Sequence, residues 1–552
     1  MQDMEKRALL AVIISLIILM VYMEYFAPKT PPPPKEKVAA PEKTQPLPPS
    51  PATPGIPLSG PPPGPQATIQ KQPGKDITVD TPLYTAVFDT RGGQLKSWKV
   101  KKYFDKIGEG ARPIDLATED LSAGYPLGLV VTEANFLFDP NAAVFQTSLE
   151  RLELGPSQKN GTLQFSWESP DGLKIIQQMT FYADRYQVDL QLTMLNPSGK
   201  SLEGRPLFRW SGKNFKTSSG SGMGCLFFGG NGGTGASVPP FTALVKKELQ
   251  EIEIKEVKGE KRFKENVHWG GFQSVYFLAA LVPKRMEGTE LIFRPTSDLT
   301  GEVQIGGPKV SLPPGTQFSQ SYLLYLGPKD LDLLKAFGHD LDRALDFGWF
   351  DIIAKPILYV MRFFYRYTGN YGLAIIFLTI LIKILFWWPT NLSYRSMKEM
   401  KKMQPELAKL REKYAGDRER LNKEMMDLYR RYKFNPMTGC LPMALQIPIF
   451  FALYKVLLYC IELRHQPFYG WIQDLSAADP YYITPILMGG SWFVQQWMTP
   501  TTGDPAQAKM MLIMPVIFTF MFLSFPTGLV LYWLVQNLLS IGQQIYINKK
   551  TS

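Results

Sequence analysis

Cysteine and histidine are nearly missing from these 552 residues, with three of each. The histidines, His268, His339 and His465, are too scattered to suggest a metal site. Cys225 stands alone, while Cys440 and Cys460 fall at opposite ends of one apolar run. A helix of twenty residues would hold those two about 30 Å apart, too far for a disulfide. The sequence implies no disulfide framework and no cofactor, and it shows no nucleophile–base pairing. The third scarcity is positional: the long apolar runs beyond residue 369 contain no Asp or Glu. Proton pumps and cation carriers usually place a carboxylate inside the membrane, so that class is disfavoured.

Apolar residues (45%) and a net charge of +11 are abundant instead. One stretch organises the rest: Asn370–Asn391, NYGLAIIFLTILIKILFWWPTN, expected to span a hydrocarbon core as one helix. Lys383 sits inside it, with Thr379 one turn before. An ammonium at the centre of a membrane helix costs about 2.5–3.5 kcal/mol on insertion scales, which makes Lys383 a functional candidate. The competing reading is snorkelling, because Pro389 is six residues away, about 9 Å along a helix.

Before this stretch come four regions. Ala8–Phe26, preceded by Lys6 and Arg7, reads as an uncleaved anchor with its N-terminus inside (residues 1–27), since bulky Tyr22–Phe26 does not suit a cleavage site. Residues 28–75 are proline-rich, an extended spacer rather than a ligand for a proline-recognising partner. Residues 76–328 alternate with period two, as in Leu163, Phe165, Trp167 and in Val188, Leu190, Leu192, Met194, which predicts a β-sandwich outside the membrane. Within it the glycine-rich Gly222–Gly235 lacks a GK[ST] ending and reads as a flexible loop. Residues 329–368 predict two helices. In Lys329–Asp346 one face carries Leu334, Phe337, Leu341 and Leu345. The second, Asp351–Tyr367, is an interfacial helix with Ile353, Ile357, Val360 and Phe364 opposite Lys355, Arg362 and Arg366.

After the Lys383 helix (369–391), residues 392–435 predict an antiparallel helical hairpin. Met400, Met403, Leu407, Leu410 and Tyr414 form one seam, and Leu421, Met425, Leu428 and Tyr432 the other. Thirteen Lys/Arg against seven acids between Arg395 and Lys433 place it in the cytoplasm. Spans at 436–461, 481–499, 510–525 and 527–547 follow, joined by an outer loop (462–480) and an inner one (500–509), with an inner tail (548–552). Lys355, Arg362 and Arg366 conflict with this polarity, but the hairpin charge outweighs them. The expectation is a polytopic α-helical membrane protein with six transmembrane helices and both ends cytoplasmic.

The last five helices carry prolines, methionines and uncharged polar groups: Thr379, Gln446, Gln495, Gln496, Gln536 and Asn537. A lysine among amides and hydroxyls points to a wet cavity. Abundant Met fits varied apolar partners or, singly, core filling. The carrying stretches are GNYG at Gly369–Gly372, the basic hairpin, NPMTGCLPMALQIPIFFALY (Asn435–Tyr454), QDLSAADPYYITPILMG (Gln473–Gly489), MTPTT (Met498–Thr502) and MPVIFTFMFLSFPTGLVLYWLVQNLLSI (Met514–Ile541). On these the chain resembles a YidC-type membrane protein insertase of the Gram-negative form.

The resemblance implies a groove in the bilayer open to cytoplasm and lipid and closed to the outside, a non-catalytic translocase, and a five-helix core. Lys383 matches a position where the family usually has arginine, Thr379 matches a functional position, and Tyr532–Trp533 matches an aromatic pair that contacts substrate. The implied partners are nascent inner-membrane proteins, the Sec translocon (SecYEG, SecDF), the ribosome and signal-recognition-particle pathway through the hairpin, and lipids, with no nucleic-acid substrate. Residues alone leave two other readings, a small-solute transporter or channel and a structural assembly chaperone. The first would favour internal repeats, and none is visible.

Overall fold

The computed structural model describes residues 74–550, apart from 118–123, 136–137, 171, 213–239, 298–299, 415, 433–436 and 500–504. The anchor, the proline-rich spacer, the glycine-rich loop and part of the inner loop therefore lie outside the described residues.

The period-two region forms three sheets of five, nine and six strands. The nine-stranded sheet is the platform. Its inner strand Gln187–Leu195 pairs antiparallel with Lys174–Tyr182 on one side and Gln317–Pro328 on the other. Val188, Leu190, Leu192 and Met194 are all buried, while Gln191 between them is exposed. The ladders put Phe165, Phe181, Tyr322 and Phe241 on that same buried face. Both smaller sheets cover it. Phe88 of the five-stranded sheet meets Phe165 and Phe181. From the six-stranded sheet, Phe208 meets Tyr322 and Phe293 stacks on Phe241 at 4.8 Å. Two layers around one apolar interior make a sandwich.

The single helix expected over Lys329–Asp346 is broken. Helix α1 is Leu331–Phe337, capped by Asp330, whose Oδ1 accepts from the amides of Asp332 and Leu333. Gly338, with φ +79°, stops it, and a short 3-10 turn Leu341–Ala344 follows. Leu334, Leu341 and Leu345 nevertheless stay in the core, because the turn folds the chain back onto it. Helix α2, Asp351–Thr368, buries Ala354, Ile357, Leu358 and Met361, a face rotated from the expected one. Gly369 (φ +62°) ends it and Asn370 caps helix α3, Tyr371–Leu385, so GNYG does separate two helices.

The central span also departs from expectation. Instead of one helix over 370–391, α3 breaks at Phe386 and helix α4, Trp387–Lys413, leaves at 61°. Pro389 explains the break: its ring would clash with the carbonyl of Leu385 in a continuous helix, whereas in the first turn of a new one its missing N–H costs nothing. Helix α5, Arg418–Arg431, packs against α4 through Met403, Leu407 and Leu428, with Leu410 and Met425 at the edge. Leu421 is half-buried outside this cluster, and Met400 is buried but also outside it.

Helices α6 (Met437–Tyr459), α7 (Ile483–Met498), α8 (Pro505–Phe522) and α9 (Thr527–Lys550) complete the bundle. Among the described residues no single helix is long and apolar enough to cross a membrane alone, whereas the bent α3–α4 pair is. In α9 five polar residues from Gln536 to Gln544 dilute the apolar content.

Helices α3, α7 and α9 start together at the outer loop. Asn370 reaches the carbonyls of Pro467 and Phe468, and Thr527 donates to Ala477. Asp479 takes the start of α7, accepting from Trp471 Nε1, the amides of Tyr481 and Thr484, and the Thr484 hydroxyl. Burial raises the Asp479 carboxyl, but these hydrogen bonds outweigh it and hold it below the ordinary aspartate value. A depressed value stabilises the fold above the unfolded-state value and the contribution is lost as pH falls through the folded one. Asp479→Asn should cost about 1–3 kcal/mol at neutral pH, read as a lower melting temperature, and the gap from the parent should shrink below about pH 4.

Candidate functional site

Lys383 lies in the last turn of α3, 6% exposed. Its ammonium reaches α9 and donates to Ser540 Oγ at 2.8 Å. Ser540 in turn donates to the Gln536 carbonyl at 2.7 Å. The partner of the ammonium is a neutral hydroxyl, which leaves the positive charge uncancelled. One neutral hydrogen bond falls well short of replacing the hydration of an ammonium.

Thr379 is fully buried but turns its hydroxyl back to the Ile375 carbonyl at 2.6 Å, along its own helix. Gln446 of α6 donates to the Tyr532 hydroxyl and accepts from Gln536 Nε2 at 3.5 Å, which links α6 to α9. Asn537 ties α9 to α7 through the Met488 carbonyl and Ser491 Oγ. Gln495 is half-buried on α7. Tyr532 is buried, and Trp533 packs among Phe450, Trp492 and Phe522 with ring centroids 5.1–5.4 Å away. The structure therefore gathers Lys383, Gln446 and Tyr532 into one chain of contacts through Ser540 and Gln536. Asn537 and Thr379 serve helix packing at its sides.

Sequence reasoning missed Ser540, Gln543 and Gln544. Gln543 donates to Asn391 Oδ1 at 2.8 Å and Gln544 to Thr499 Oγ1 at 3.1 Å, and Tyr394 adds side-chain hydrogen bonds with Ser540 and Gln544. The signal was available: 536, 537, 540, 543 and 544 step by three and four, a polar stripe on one face of an otherwise apolar helix. Five buried amide atoms in this region, Gln495 Oε1, Gln496 Nε2, Gln536 Oε1, Gln543 Oε1 and Gln544 Oε1, have no hydrogen-bond partner among the described residues. So many orphaned amides call for water or a polar guest.

Toward the outer end, Arg362 of α2 is ringed by carboxylates. It pairs with Glu462 just past α6, with Asp330 at 3.4 Å and with Asp332 at 2.9 Å. Burial works against its charge, but the carboxylates outweigh that and hold it above the ordinary range. Lys355 pairs with Asp351 at 2.7 Å. Two of the three cations that conflicted with the charge polarity are thus spent in ion pairs.

Residues 363–552 match the family described as 60Kd inner membrane protein, and residues 76–360 match the YidC periplasmic domain. A "Membrane protein insertase YidC" of Syntrophus aciditrophicus is 44% identical over 99% of this chain and 100% of that one. One of Geobacter sulfurreducens is 42% identical over 100% of this chain and 99% of the other. An "Active YidC insertase crystal structure with the first transmembrane domain resolved" shares 16% identity, covering 86% of this chain and 94% of that one, with a TM-score of 0.35. With relatives this similar over their whole length, the chain belongs to the YidC family of membrane protein insertases.

Proposed function

We propose that the protein inserts membrane proteins by drawing their polar segments into a hydrated groove around Lys383. The observation that carries this is the buried ammonium with a neutral partner amid orphaned amides. Such a site is costly in apolar surroundings and is worthwhile only if water or a passing polar chain occupies it. At an effective dielectric of about 20, an acidic residue 4 Å away gains ~4 kcal/mol from the charge. That attraction brings the acidic tail of a client into the groove and shortens its path through hydrocarbon. Apolar client segments leave along the exposed faces of α7 and α8, which present Ile486, Phe493, Trp497, Ile513, Ile517 and Phe520.

Several features support one orientation. The β-domain exit, α2 and the outer loop share Arg362, so they lie on one side, the periplasm. The basic hairpin α4–α5 leaves from the opposite end, toward the cytoplasm, where ribosomes and targeting factors deliver clients. At 15 and 16 residues, α3 and α7 reach only ~22–24 Å, which favours a locally thinned bilayer. The Sec translocon is a partner for larger clients.

The test uses one acidic-tailed client and its charge-neutralised form in proteoliposomes. Lys383→Arg should insert both about as well as the parent. Lys383→Ala should lose tenfold or more on the acidic tail, up to about a thousandfold if the full ~4 kcal/mol is lost, Lys383→Glu more, and the neutral tail should suffer less. Parent-level insertion of both clients by Lys383→Ala would refute the role of the charge.

Deleting Met400–Tyr432 should abolish or sharply reduce client insertion at unchanged protein level, because the hairpin has its own small core and serves delivery rather than bundle packing. Unchanged insertion would remove it from the mechanism.

A further inference from the structure

The outer loop, Ile461–Pro480, is built unlike an ordinary connection. Ile461, Leu463, Ile472 and Leu475 are all buried, in the same apolar core as Tyr371 and Ile375 of α3. The Phe468 ring lies so close to Gly372 that a Cβ there would sit 2.0 Å from it, so only glycine allows the seat. Leu475 accepts from the Gly528 amide at 2.9 Å and Ala477 from Thr527 at 2.7 Å. These contacts cover the outer ends of α3 and α9, the two helices that hold Lys383 and Ser540. Ile375, which with Leu475 packs on Gly528, is eight residues from Lys383, about 12 Å along the helix.

We infer that this loop is the plug that seals the groove toward the periplasm, and that Arg362 is the positioning residue that latches it. The inference rests on reading α3 and α6–α9 as the membrane-embedded groove.

Arg362 takes Glu462 at the root of the plug with one end of its guanidinium and Asp330 and Asp332 at the β-domain exit with both. One buried cation thus joins three elements that are 32 and 100 residues apart in the chain. The β-domain braces the plug a second time. Tyr276 hydrogen-bonds Ser476, and the Arg464 guanidinium lies 5.8 Å from the Tyr276 ring centre. Removing one member of a buried ion pair leaves the other charge uncompensated, which is far costlier than losing a surface pair. Without Arg362 the buried Glu462 and the partly buried Asp330 lose their shared cation, and the plug root loses its hold on α2. In this arrangement the β-domain holds the seal, and a force on it reaches the groove through Arg362.

The experiment compares the full chain with Arg362→Gln, Arg362→Lys and Lys355→Gln in proteoliposomes. Proton leak is read with an entrapped pH dye under an imposed potassium potential, and client insertion is measured in the same vesicles. Arg362→Gln should leak about tenfold faster than the parent, since losing a buried charge partner shifts a closed–open balance by at least that much. Arg362→Lys should restore most of the seal. Lys355→Gln, which removes an ion pair on the same helix that does not touch the plug, should leave the leak at the parent rate. A leak from Arg362→Gln within twofold of the parent overturns the proposal, and so does an equal leak from Lys355→Gln or a lysine variant as leaky as glutamine. If the parent inserts its client while these leaks are flat, only the plug fails. If the parent does not insert, the groove reading fails first.

Discussion

Everything in the helical half depends on how a positive charge is kept among apolar helices. Lys383 has a hydroxyl opposite it and, among the described residues, no carboxylate partner, so the charge remains available. A carboxylate at Ser540 would neutralise it and convert the site into a structural ion pair. A fully apolar neighbour would leave the ammonium without any acceptor. Ser540, held by the Gln536 carbonyl, sits between those extremes and keeps the lysine oriented without cancelling it. The amides that extend from Gln446 to Gln544 follow from the same constraint, because a charge in hydrocarbon must bring polar company with it.

The two ends of the bundle are built differently. At the end away from the loop 462–480, α3 breaks at Phe386 and α4 swings away at 61°. At the outer end Asp479, Phe468, Leu475 and the Arg362 cluster knit loop, helices and β-domain together.

Much of this was legible in the sequence, where a rule applies residue by residue. Alternation at Val188–Met194 gave the buried face of a strand, GNYG separated α2 from α3, and the heptad steps of Met403, Leu407 and Leu428 gave the hairpin seam. Lys383 was conspicuous by its cost alone. What failed were features set by tertiary partners or by one backbone residue. Gly338 broke a helix that its apolar spacing favoured, and Pro389 broke the central span, although residues before a proline are biased against helix. Asn537 and Thr379 were singled out by type, but their partners, the Met488 carbonyl and Ser491 for one and the Ile375 carbonyl for the other, are set by the fold. Arg362 looked like interfacial charge because Glu462 lies a hundred positions away.

The most direct test of the account rebuilds the charge chemically. In a chain with Cys225, Cys440 and Cys460 replaced, Lys383→Cys should insert an acidic-tailed client poorly. Treatment from the cytoplasmic face with an aminoethyl methanethiosulfonate attaches an ammonium at nearly lysine length, and insertion should return toward the parent level. The neutral ethyl reagent should not restore it. Equal insertion before and after treatment, or equal rescue by both reagents, would contradict the central claim that a water-reachable positive charge at this position drives insertion.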